Sequence, residues 1–375
     1  MRLCDVCDFQ GGSQPPKNEW SFEQKDGYIR MLQIRDFTQT RNVEKEYIKL
    51  TSSTKTCVTE DILIARYGAS IGKILTGLSG AYNVAIMKTI PNEGILNKSY
   101  LKYYLLSNYF QNGINSVGAR AAQAGFNKED LSKLYIPVVS LVQQKLIVDK
   151  LNKLTTFIGK RKTQLEKLDE LVKSRFIEMF GDPVNNSKKL PKLTLPELGE
   201  VGRGVSKHRP RNDPQLLGGK YPLIQTSEIA KSDLYITEYE STYSELGFKQ
   251  SKLWQKGTLC ITIAANIAKT AILTFDACFP DSVVGFKANG RTNNIFIHYW
   301  FSFFQTILEA QAPESAQKNI NLKALSELYV IVPPIELQSQ FAAFVKQVDK
   351  SKFEIKQSLE KLELLKKALM QKYFG

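Results

Sequence analysis

The stretch of this chain that comes nearest to a catalytic motif is Gly68-Ala-Ser-Ile-Gly-Lys73. A phosphate-binding loop of the GxxxxGK(S/T) type holds phosphate with its backbone N–H groups and magnesium with its final hydroxyl. Here the loop is one residue short, and Ile74 stands where the hydroxyl is needed. A related stretch, Ala264 to Lys269, keeps the lysine and neither glycine. Nucleotide hydrolysis is therefore not predicted. Each lysine suits a phosphate or a base edge, or equally an ordinary solvated surface.

Metal binding is poorly supplied with ligands. Cys4 and Cys7 have the spacing of half a zinc site or of a redox pair. No second close pair of cysteines follows in the sequence, and the histidines are His208 and His298. Because a structural zinc site takes four such ligands, we predict that the chain holds no metal.

Two further chemistries also lack their residues. Methyl transfer to adenine requires Asn or Asp followed by two prolines and an aromatic residue, and Val332-Pro-Pro-Ile335 has neither the polar residue nor the aromatic. A magnesium-dependent nuclease requires an Asp followed by an acid-x-Lys triplet, and Gly285-Phe-Lys287 after Asp281 lacks the acid. We therefore predict that this chain carries no catalytic residues.

Side chains that can read DNA are better supplied. Arg and Lys can bind the edge of guanine, and Asn or Gln the edge of adenine. The candidates are Arg30, Arg35, Lys73, Arg120, Gln123 and Asn127 in the first half of the chain and Lys207, Arg209, Arg211, Gln225, Ser227, Asn266, Lys269, Lys318, Asn319 and Asn321 in the second. Any one of them is as well explained by a phosphate contact or an ordinary surface position, because phosphate and sugar take half or more of protein–DNA hydrogen bonds. As a set on matched loops they predict a DNA-binding protein.

The charge balance also favours a polyanionic partner. Lys and Arg number 51 against 37 Asp and Glu, which gives a formal charge of +14 and a pI near 9.3. Neutralising phosphates releases their counterions, so nucleic acid is the first candidate. A merely basic protein is the alternative, and charge alone does not decide between them.

The cellular compartment is predicted from cysteines and hydropathy. Five scattered cysteines suit a reducing cytoplasm. No apolar run approaches the roughly 18 residues that a membrane span requires. Arg2, Asp5 and Asp8 stand where a signal peptide would need its apolar core. We predict a cytoplasmic protein.

The elements that must position these side chains are organised around a duplicated helix. QLEKLDELVKSRFIEMFG, read from Gln164, returns as SLEKLELLKKALMQKYFG from Ser358, at an offset of 194 residues. In both copies apolar residues recur at alternating four- and three-residue spacings, which is the seam of a coiled coil. The first seam contains Ile147, Leu151, Leu154, Ile158, Arg161, Leu165, Leu168, Val172, Arg175 and Met179, and the second contains Phe341, Val345, Val348, Lys352, Ile355, Leu359, Leu362, Lys366, Leu369 and Tyr373.

The charged seam positions fall at different levels in the two copies, so that each seam alone is imperfect. A polar seam residue can fix the register of a coiled coil. We therefore predict that the two helices pair with each other in antiparallel orientation. The alternatives are that each helix packs on its own globular unit, or that the seam pairs between chains.

The globular segments are duplicated as well. Tyr221-Pro-Leu-Ile-Gln-Thr-Ser-Glu-Ile229 parallels Arg30 to Phe37, with Gln225 on Gln33 and Glu228 on Asp36. The chain divides at 1–139, 140–181, 182–334 and 335–375 into two α/β domains, each followed by a long helix. In the first domain we predict a strand over Ala81 to Ile90, a helix over Leu101 to Phe110 and a loop over Gly113 to Asn127.

From end to end, the chain resembles the specificity subunits of type I restriction-modification systems. The resemblance is carried by the Gly11 to Pro16 loop, the Tyr221 to Ile229 strand, the Ile71-Gly-Lys73 and Ile267-Ala-Lys269 turns, the Ile136-Pro137 and Val332-Pro-Pro334 entries with Gln143, Gln144 and Gln338, and the two Leu-Glu-Lys-Leu helices ending in Phe-Gly. Individually these motifs are weak, and two copies in the expected order make them specific. One departure is the opening. Met1 lies almost directly at the first domain, so that a contact from the family's short lead-in is expected to be missing.

The resemblance implies two target recognition domains, each reading one half of a split, asymmetric site on double-stranded DNA. It implies that the paired helices act as a ruler between them, since about 34 residues from Ile147 to Phe180 span on the order of 50 Å. It also implies two methyltransferase subunits, which bind S-adenosylmethionine and methylate adenine at N6, and two restriction subunits, which use ATP and magnesium. The chain itself is then expected to have no catalytic residue, no cofactor, no membrane contact and no small-molecule substrate.

Two other functions are compatible with the same residues. One is a two-domain DNA-binding or scaffold protein that needs no methyltransferase. The other is an enzyme whose site has no recognised motif.

Overall fold

The computed structural model describes residues 1–39, 43–118, 125–208, 210–264, 267–311 and 320–375. The chain forms two compact units, one made of Met1–Lys162 with Lys356–Gly375 and the other of Thr163–Ile355. Both units mix strands and helices, and each receives part of both long helices.

The first unit contains two four-stranded sheets. Its strands are β1 (Cys7–Gly11), β2 (Tyr28–Leu32), β3 (Glu46–Lys49), β4 (Thr56–Cys57), β5 (Leu63–Ala65), β6 (Ile74–Leu75), β7 (Gly80–Tyr82) and β8 (Ile86–Pro91). One sheet has the strand order β1-β8-β5-β6, and the other has the order β3-β2-β7-β4. The central strand β5 is buried along its whole length, which explains why its sequence is continuously apolar.

Residues 1–162 of the first unit contain six helices in the described part of the chain, counting the start of α6. They are α1 (Leu3–Val6), α2 (Ile34–Thr38), α3 (Lys98–Leu105), α4 (Asn108–Gly118), α5 (Lys128–Ser132) and the start of α6 (Leu141–Phe180), with 3-10 turns at Lys17–Glu19 and Gly68–Ser70. Tyrosines 100, 103 and 104 on α3 are buried in the core of the unit. A tyrosine-rich helix is therefore an internal element of the unit.

The second unit repeats this plan. Its strands are β9 (Lys192–Thr194), β10 (Gly199–Arg203), β11 (Leu217–Leu223), β12 (Tyr235–Ile236), β13 (Ser241–Tyr243), β14 (Leu253–Trp254), β15 (Leu259–Thr262), β16 (Thr270–Leu273), β17 (Ala277–Cys278), β18 (Val283–Ala288) and β19 (Tyr329–Ile331). Its helices are α7 (Leu195–Leu198), α8 (Thr226–Lys231), α9 (Glu245–Lys249), α10 (Asn294–Gln311), α11 (Leu322–Ser326) and α12 (Ile335–Phe374), with a 3-10 turn at Pro214–Leu216.

The sheets of the second unit match those of the first, strand for strand. The order β10-β18-β15-β16 corresponds to β1-β8-β5-β6, and β13-β11-β17-β14 corresponds to β3-β2-β7-β4. The second unit adds β12 as a parallel edge strand beside β16 and pairs β19 with β9. The predicted duplication of an α/β fold is confirmed.

The long helices pair in antiparallel orientation within each unit. In the first unit, Lys162 of α6 binds Glu363 of α12 at 3.0 Å, and Leu151 packs in the same core as Phe374. In the second unit, Lys352 of α12 binds Asp169 of α6. All the predicted seam positions of both helices are buried or half-buried. The predicted antiparallel pairing is therefore confirmed, and the buried Lys352 is balanced by a carboxylate on the facing helix.

A buried glutamine joins the first turn of each long helix to its own globular domain. Gln144 Oε1 accepts the backbone N–H of Asn97, the N-cap of α3, and its amide donates to the carbonyls of Ile95 and Val139. Gln338 makes the corresponding bonds in the second unit. Both side chains are 0% exposed. Because every polar atom of these amides is hydrogen-bonded, their burial is compatible with a stable core.

Three predicted elements of the first domain are wrong in their extent. The segment predicted as one strand over Ala81 to Ile90 is two strands in different sheets, separated by a turn in which Asn83 accepts the backbone N–H of Ile86 at 3.0 Å. The mostly apolar segment hides this crossing between sheets, because both strands are largely buried and Asn83 alone stands for the turn.

The predicted helix over Leu101 to Phe110 is likewise two helices. Asn97 caps α3 by accepting the N–H of Tyr100 at 3.0 Å, and Ser107 interrupts the run by accepting the N–H of Phe110 through its hydroxyl. Of the predicted loop over Gly113 to Asn127, residues 113–118 belong to α4, and residues 119–124 lie outside the described part of the chain.

None of the helices in the described parts of the chain carries an apolar stretch long enough to span a lipid bilayer.

One titratable group in the second unit predicts a pH-dependent stability. His298 on α10 shares a 2.9 Å hydrogen bond between its Nδ1 and the Thr270 hydroxyl, and burial lowers its pKa to about 4. In the unfolded chain the pKa of a histidine is about 6.5. Between these pH values the unfolded state binds a proton that the folded state excludes. The free energy of unfolding therefore has its full value above pH 6.5 and falls as the pH drops toward 4.

We expect this histidine to cost up to about 3 kcal/mol of stability at pH 4, with the upper limit set by full burial. His298 as a whole residue is half-buried, so the measured loss should lie below that limit. Thermal unfolding at pH 7 and pH 4.5 checks this in the native chain and in His298→Gln, which can still bond to Thr270. The variant should lose less stability than the native chain. Identical losses would assign the pH dependence to other groups.

Candidate nucleic-acid interface

In both units a strand leads into a short helix at a glutamine. Gln33 lies between β2 and α2, and its backbone N–H donates to the Asp36 carboxylate at 2.7 Å. Gln225 lies between β11 and α8, and its N–H donates to Glu228 at 3.3 Å. A carboxylate at the third helical position that returns to the N-cap is one half of a capping box. The repeated Gln-x-x-acid pattern therefore shapes this turn.

The arginines of the first unit are held in a network beside this turn. Arg30 on β2 binds Asp36 at 2.6 Å, and Arg35 on α2 binds Glu46 on β3. Glu46 is buried and also binds Lys17, at 2.9 Å. The side chain of Arg35 is 43% exposed and that of Arg30 is 24% exposed. The network orients both guanidinium groups and leaves Arg35 the more accessible.

The second unit has a cleft at the corresponding turn. Its volume is about 300 Å³, and Arg211, Gln225, Thr226, Ser241 and Ser282 contribute to its wall. Arg211 also binds Asp281 at 2.5 Å. The cleft thus brings together two of the predicted DNA-binding residues, Arg211 from the segment before β11 and Gln225 from the turn after it. Between them they could address the edges of both purines.

Ser227 follows Thr226 on α8 and is less suited to base contact. Its hydroxyl donates to the Glu228 carboxylate at 2.7 Å. This bond gives a hydrogen-bond donor to the Glu228 carboxylate, which is buried.

The predicted lysines occupy equivalent hairpins in the two units. Lys73 is exposed on the connection between β5 and β6, where its carbonyl accepts the N–H of Ala65. Lys269 is half-buried and closes the β15–β16 connection, where its carbonyl accepts the N–H of Thr262 at 2.9 Å. Main-chain bonds thus fix both backbones at equivalent connections of the two sheets.

Lys207 lies on the loop after β10 and is exposed. The backbone N–H groups of Lys207 and His208 both donate to the Gln250 side-chain oxygen, at 2.6 and 2.9 Å. A side chain that holds two adjacent N–H groups stabilises this basic loop.

Asn127 and Asn321 are N-caps of equivalent short helices. Asn127 Oδ1 accepts the N–H of Asp130 at 3.0 Å at the start of α5, and Asn321 Oδ1 accepts the N–H of Ala324 at 2.7 Å at the start of α11. Their side-chain oxygens are thus used locally, which explains their matched positions by structure alone. The remaining candidates lie outside the described residues: Arg120, Gln123, Arg209, Asn266, Lys318 and Asn319.

Sequence reasoning missed the small polar residues of the cleft. Thr226, Ser241 and Ser282 come from α8, β13 and the turn before β18. Single hydroxyl residues on three separate elements have no common spacing. Only the alignment of the two repeats could have suggested Thr226, because it follows the repeated glutamine.

The chemistry of the other polar clusters is limited. Within the described ranges, no three His, Cys, Asp or Glu side chains converge as metal ligands. Burial raises the pKa of the Cys7 thiol to about 12 and that of Cys57 to about 11. Thiols with raised pKa values hold little of the thiolate form that acts as nucleophile or metal ligand.

Comparison with known proteins identifies the family. The family model "Type I restriction modification DNA specificity domain" matches residues 1–170 and again 192–366. A Methanocaldococcus jannaschii protein named as an MjaX type I restriction enzyme specificity subunit is 25% identical over 290 residues, covering 75% of this chain and 68% of that protein. The Escherichia coli type I restriction enzyme EcoBI specificity subunit is 22% identical over 383 residues, covering 93% of this chain and 80% of that protein.

A solved structure agrees at the level of the fold. A chain from a study of complex assembly and conformational transition of the type I R-M system superimposes with a TM-score of 0.62 and 18% identity, over 100% of this chain and 96% of that chain. The double match of the family model coincides with the two structural copies. The chain therefore belongs to the type I restriction-modification DNA specificity family, as a specificity subunit.

Proposed function

We propose that this chain recognises a bipartite, asymmetric site on double-stranded DNA, with each unit reading one half-site. The observation that carries the proposal is the pair of equivalent strand-to-helix turns with different surroundings. The first is bordered by the Arg30 and Arg35 network and the second by the Arg211 and Gln225 cleft. One scaffold with two different sets of reading side chains predicts two different half-sites.

Contacts to phosphate and to bases would be divided among these residues. Lys73, Lys207 and Lys269 lie on connections between strands or on a loop, where an ammonium group can neutralise phosphates. Arg211 and Gln225 lie in a cleft and are the candidates for base edges. The overall charge of +14 would speed association with DNA and make binding weaken as salt rises.

We propose two kinds of protein partner, methyltransferase subunits and restriction subunits, with two copies of each. The solved relative comes from work on complex assembly of a type I R-M system. Apolar side chains remain exposed on α6, including Val142 at 71%, Leu146 at 55% and Phe157 at 53%. Exposed apolar patches of this kind are typical of interaction surfaces. We assign this face of α6 to a methyltransferase subunit.

In this proposal the chain performs no chemistry and binds no reaction cofactor. The methyltransferase subunits bind S-adenosylmethionine and methylate adenine at N6. The restriction subunits use ATP and magnesium. The raised pKa values of Cys7 and Cys57 are in keeping with a structural role for these thiols.

The second candidate function, a DNA-binding or scaffold protein without methyltransferase partners, is separated by reconstitution. The purified chain alone should neither methylate nor cut DNA. Adding a methyltransferase subunit encoded beside it should produce site-specific adenine methylation. Failure of that subunit to co-purify with the chain would favour the second candidate, and activity of the chain alone would overturn both.

The cleft residues give a test of half-site reading. Arg211→Ala and Gln225→Ala should each cost about 1–3 kcal/mol of discrimination at one base pair of one half-site and leave the other half-site unchanged. The measurement is competition binding with duplexes in which single base pairs of each half-site are replaced.

Lys231→Ala is the matched control, because Lys231 is exposed on α8 and binds Glu240 at 2.9 Å outside the cleft. This variant should keep full discrimination. A loss spread evenly over both half-sites in the cleft variants would show phosphate contacts in place of base reading.

A further inference from the structure

A cavity of about 420 Å³ lies in the first unit, beside α6, the last turns of α12 and the corner between α3 and α4. Its lining includes the apolar side chains of Leu106, Ile158 and Met370 and the ring of Tyr103. Lys162, Lys366, Lys367, Asn108 and Gln371 also line it. The volume falls in the range of small-molecule sites, which are partly apolar with a few convergent polar groups.

The charge on this wall is predominantly positive. Glu363 is a carboxylate side chain among the lining residues and binds Lys162 at 3.0 Å, and Gly375, the last residue of the sequence, also lines the cavity. Burial lowers the pKa of the Lys366 ammonium, and the nearby Lys162 acts in the same direction. An anion beside Lys366 would offset the repulsion from Lys162. Three lysines thus line the cavity against one carboxylate side chain.

The first turn of α4 adds hydrogen-bond donors to the same wall. Ser107 and Asn108 line the cavity, and α4 begins at Asn108. The first N–H groups of a helix carry a partial positive charge, and in α4 those of Phe110 and Gln111 already donate to the hydroxyl and the carbonyl of Ser107. The partial charge at the start of α4 and the lysines together favour an anion such as phosphate.

The second unit shows that the fold does not require this cavity. By the alignment of the repeats, Ser107 and Asn108 correspond to Phe303 and Phe304, and Met370 corresponds to Phe176. Phe176 packs against Phe303 with ring centroids 5.1 Å apart.

The charges differ in the same way. At the positions of Ile158 and Glu363, the second unit has Lys352 and Asp169, which form an ion pair. Lys352 is only 6% exposed. The second unit therefore fills this place with aromatic rings and a paired charge, whereas the first keeps it open and basic.

We propose that the cavity of the first unit binds a nucleotide, with its phosphates at Lys162, Lys366, Lys367 and the start of α4, and its base against Leu106, Ile158 and Met370. Inorganic phosphate would leave the side chains of Leu106, Ile158 and Met370 uncovered. A ligand with an aromatic ring would remove this apolar surface from water. The proposal requires no hydrolysis and concerns binding alone.

The test is isothermal titration calorimetry of the full chain with ATP, AMP, inorganic phosphate and a duplex of unrelated sequence. Both nucleotides should bind, ATP more tightly because it places more charge near the lysines, and inorganic phosphate should bind more weakly than either. Lys366→Met should weaken nucleotide binding about tenfold, which is the value of one charged hydrogen bond. Asn108→Phe, which introduces the residue of the second unit, should block binding.

The matched control is Lys361→Met, on the same helix, exposed and outside the cavity, which should bind nucleotide as the native chain does. Thermal unfolding shows whether the variants fold. Lys366→Met should be at least as stable as the native chain because it removes a partly buried charge.

Four results would overturn the proposal. The first is that neither nucleotide binds saturably, and the second is that Lys366→Met and Lys361→Met lose equal nucleotide affinity. The third is that inorganic phosphate binds as tightly as ATP. The fourth is that the native chain binds no nucleotide while Lys366→Met weakens its binding to the duplex or to a methyltransferase subunit. None of them depends on half-site reading by Arg211 and Gln225, so the two proposals fail separately.

Discussion

Gln338→Leu is expected to lower the free energy of unfolding of the second unit by about 3–4 kcal/mol, the sum of several buried hydrogen bonds lost together. Gln338 Oε1 accepts from the Thr292 hydroxyl at 2.9 Å and the Asn293 N–H at 3.3 Å. Its amide donates to the carbonyls of Arg291 at 3.1 Å and Pro333 at 2.8 Å. Leucine has a similar volume but leaves these groups unpaired, and an unpaired buried polar group costs more than a hydrogen bond contributes.

Gln144→Leu should have a comparable effect in the first unit, for the same reason. The chain supplies two matched controls, since Gln340 and Gln143 are exposed neighbours on the same helices. Gln340→Leu and Gln143→Leu should change stability little. Differential scanning calorimetry of the four variants checks the prediction. Equal destabilisation by the buried and exposed substitutions would contradict the role of the glutamine in joining helix to domain.

A second large effect is expected from lengthening the paired helices together. Duplicating residues 163–169 in α6 and residues 356–362 in α12 adds one heptad to each helix, or about 10 Å at 1.5 Å per residue. A heptad keeps both seams in phase. The ruler that the family resemblance implies makes helix length set the unread gap between half-sites, so the gap should grow by about three base pairs at 3.4 Å each. Both half-sites should stay unchanged.

Deleting the same two heptads should shorten the gap by the same number of base pairs. Duplication in α6 alone is the control, because it leaves one heptad without a partner and should lower stability without yielding a defined longer gap. Methylation motifs of cells carrying each variant provide the measurement. A gap of native length in the double duplication would refute the ruler.

The long helices were predictable because their signal is local and repeated. Ile147, Leu151 and Leu154 reveal a seam by spacing alone, and the copy 194 residues later supplies its partner. The charged seam positions were informative for the same reason. Lys352 is buried and finds Asp169 on the facing helix. Periodicity thus predicts both the helix and the surface to which it pairs.

The sheets were harder to predict because their strands are short and buried on both sides. Tyr82 and Ile86 are both fully withdrawn from solvent, yet they belong to different sheets. An apolar run cannot show where the chain crosses from one sheet to the other. Ser107 lies between α3 and α4 and caps α4 with its hydroxyl, and it is equally inconspicuous in a tyrosine-rich segment.

For the candidate interface, residue type was a weaker guide than position in the repeat. Asn127 and Asn321 suit the edge of adenine by residue type, yet N-capping explains their matched positions in the two repeats. Arg211 and Gln225 do share a cleft, which no spacing in the sequence indicates. Repeated residues therefore fall into two groups, those whose side chains stabilise the fold and those whose side chains are available to DNA. The hydrogen-bond partners of each side chain show to which group it belongs.

The most direct measurement of the central claim is single-molecule methylome sequencing of cells with and without this chain, in the presence of its methyltransferase subunit. The account predicts N6-methyladenine at an asymmetric motif of two short half-sites, separated by an unread gap of fixed length, and loss of this motif when the chain is removed. A continuous motif, or a methylation pattern that is unchanged by removal of the chain, would contradict it.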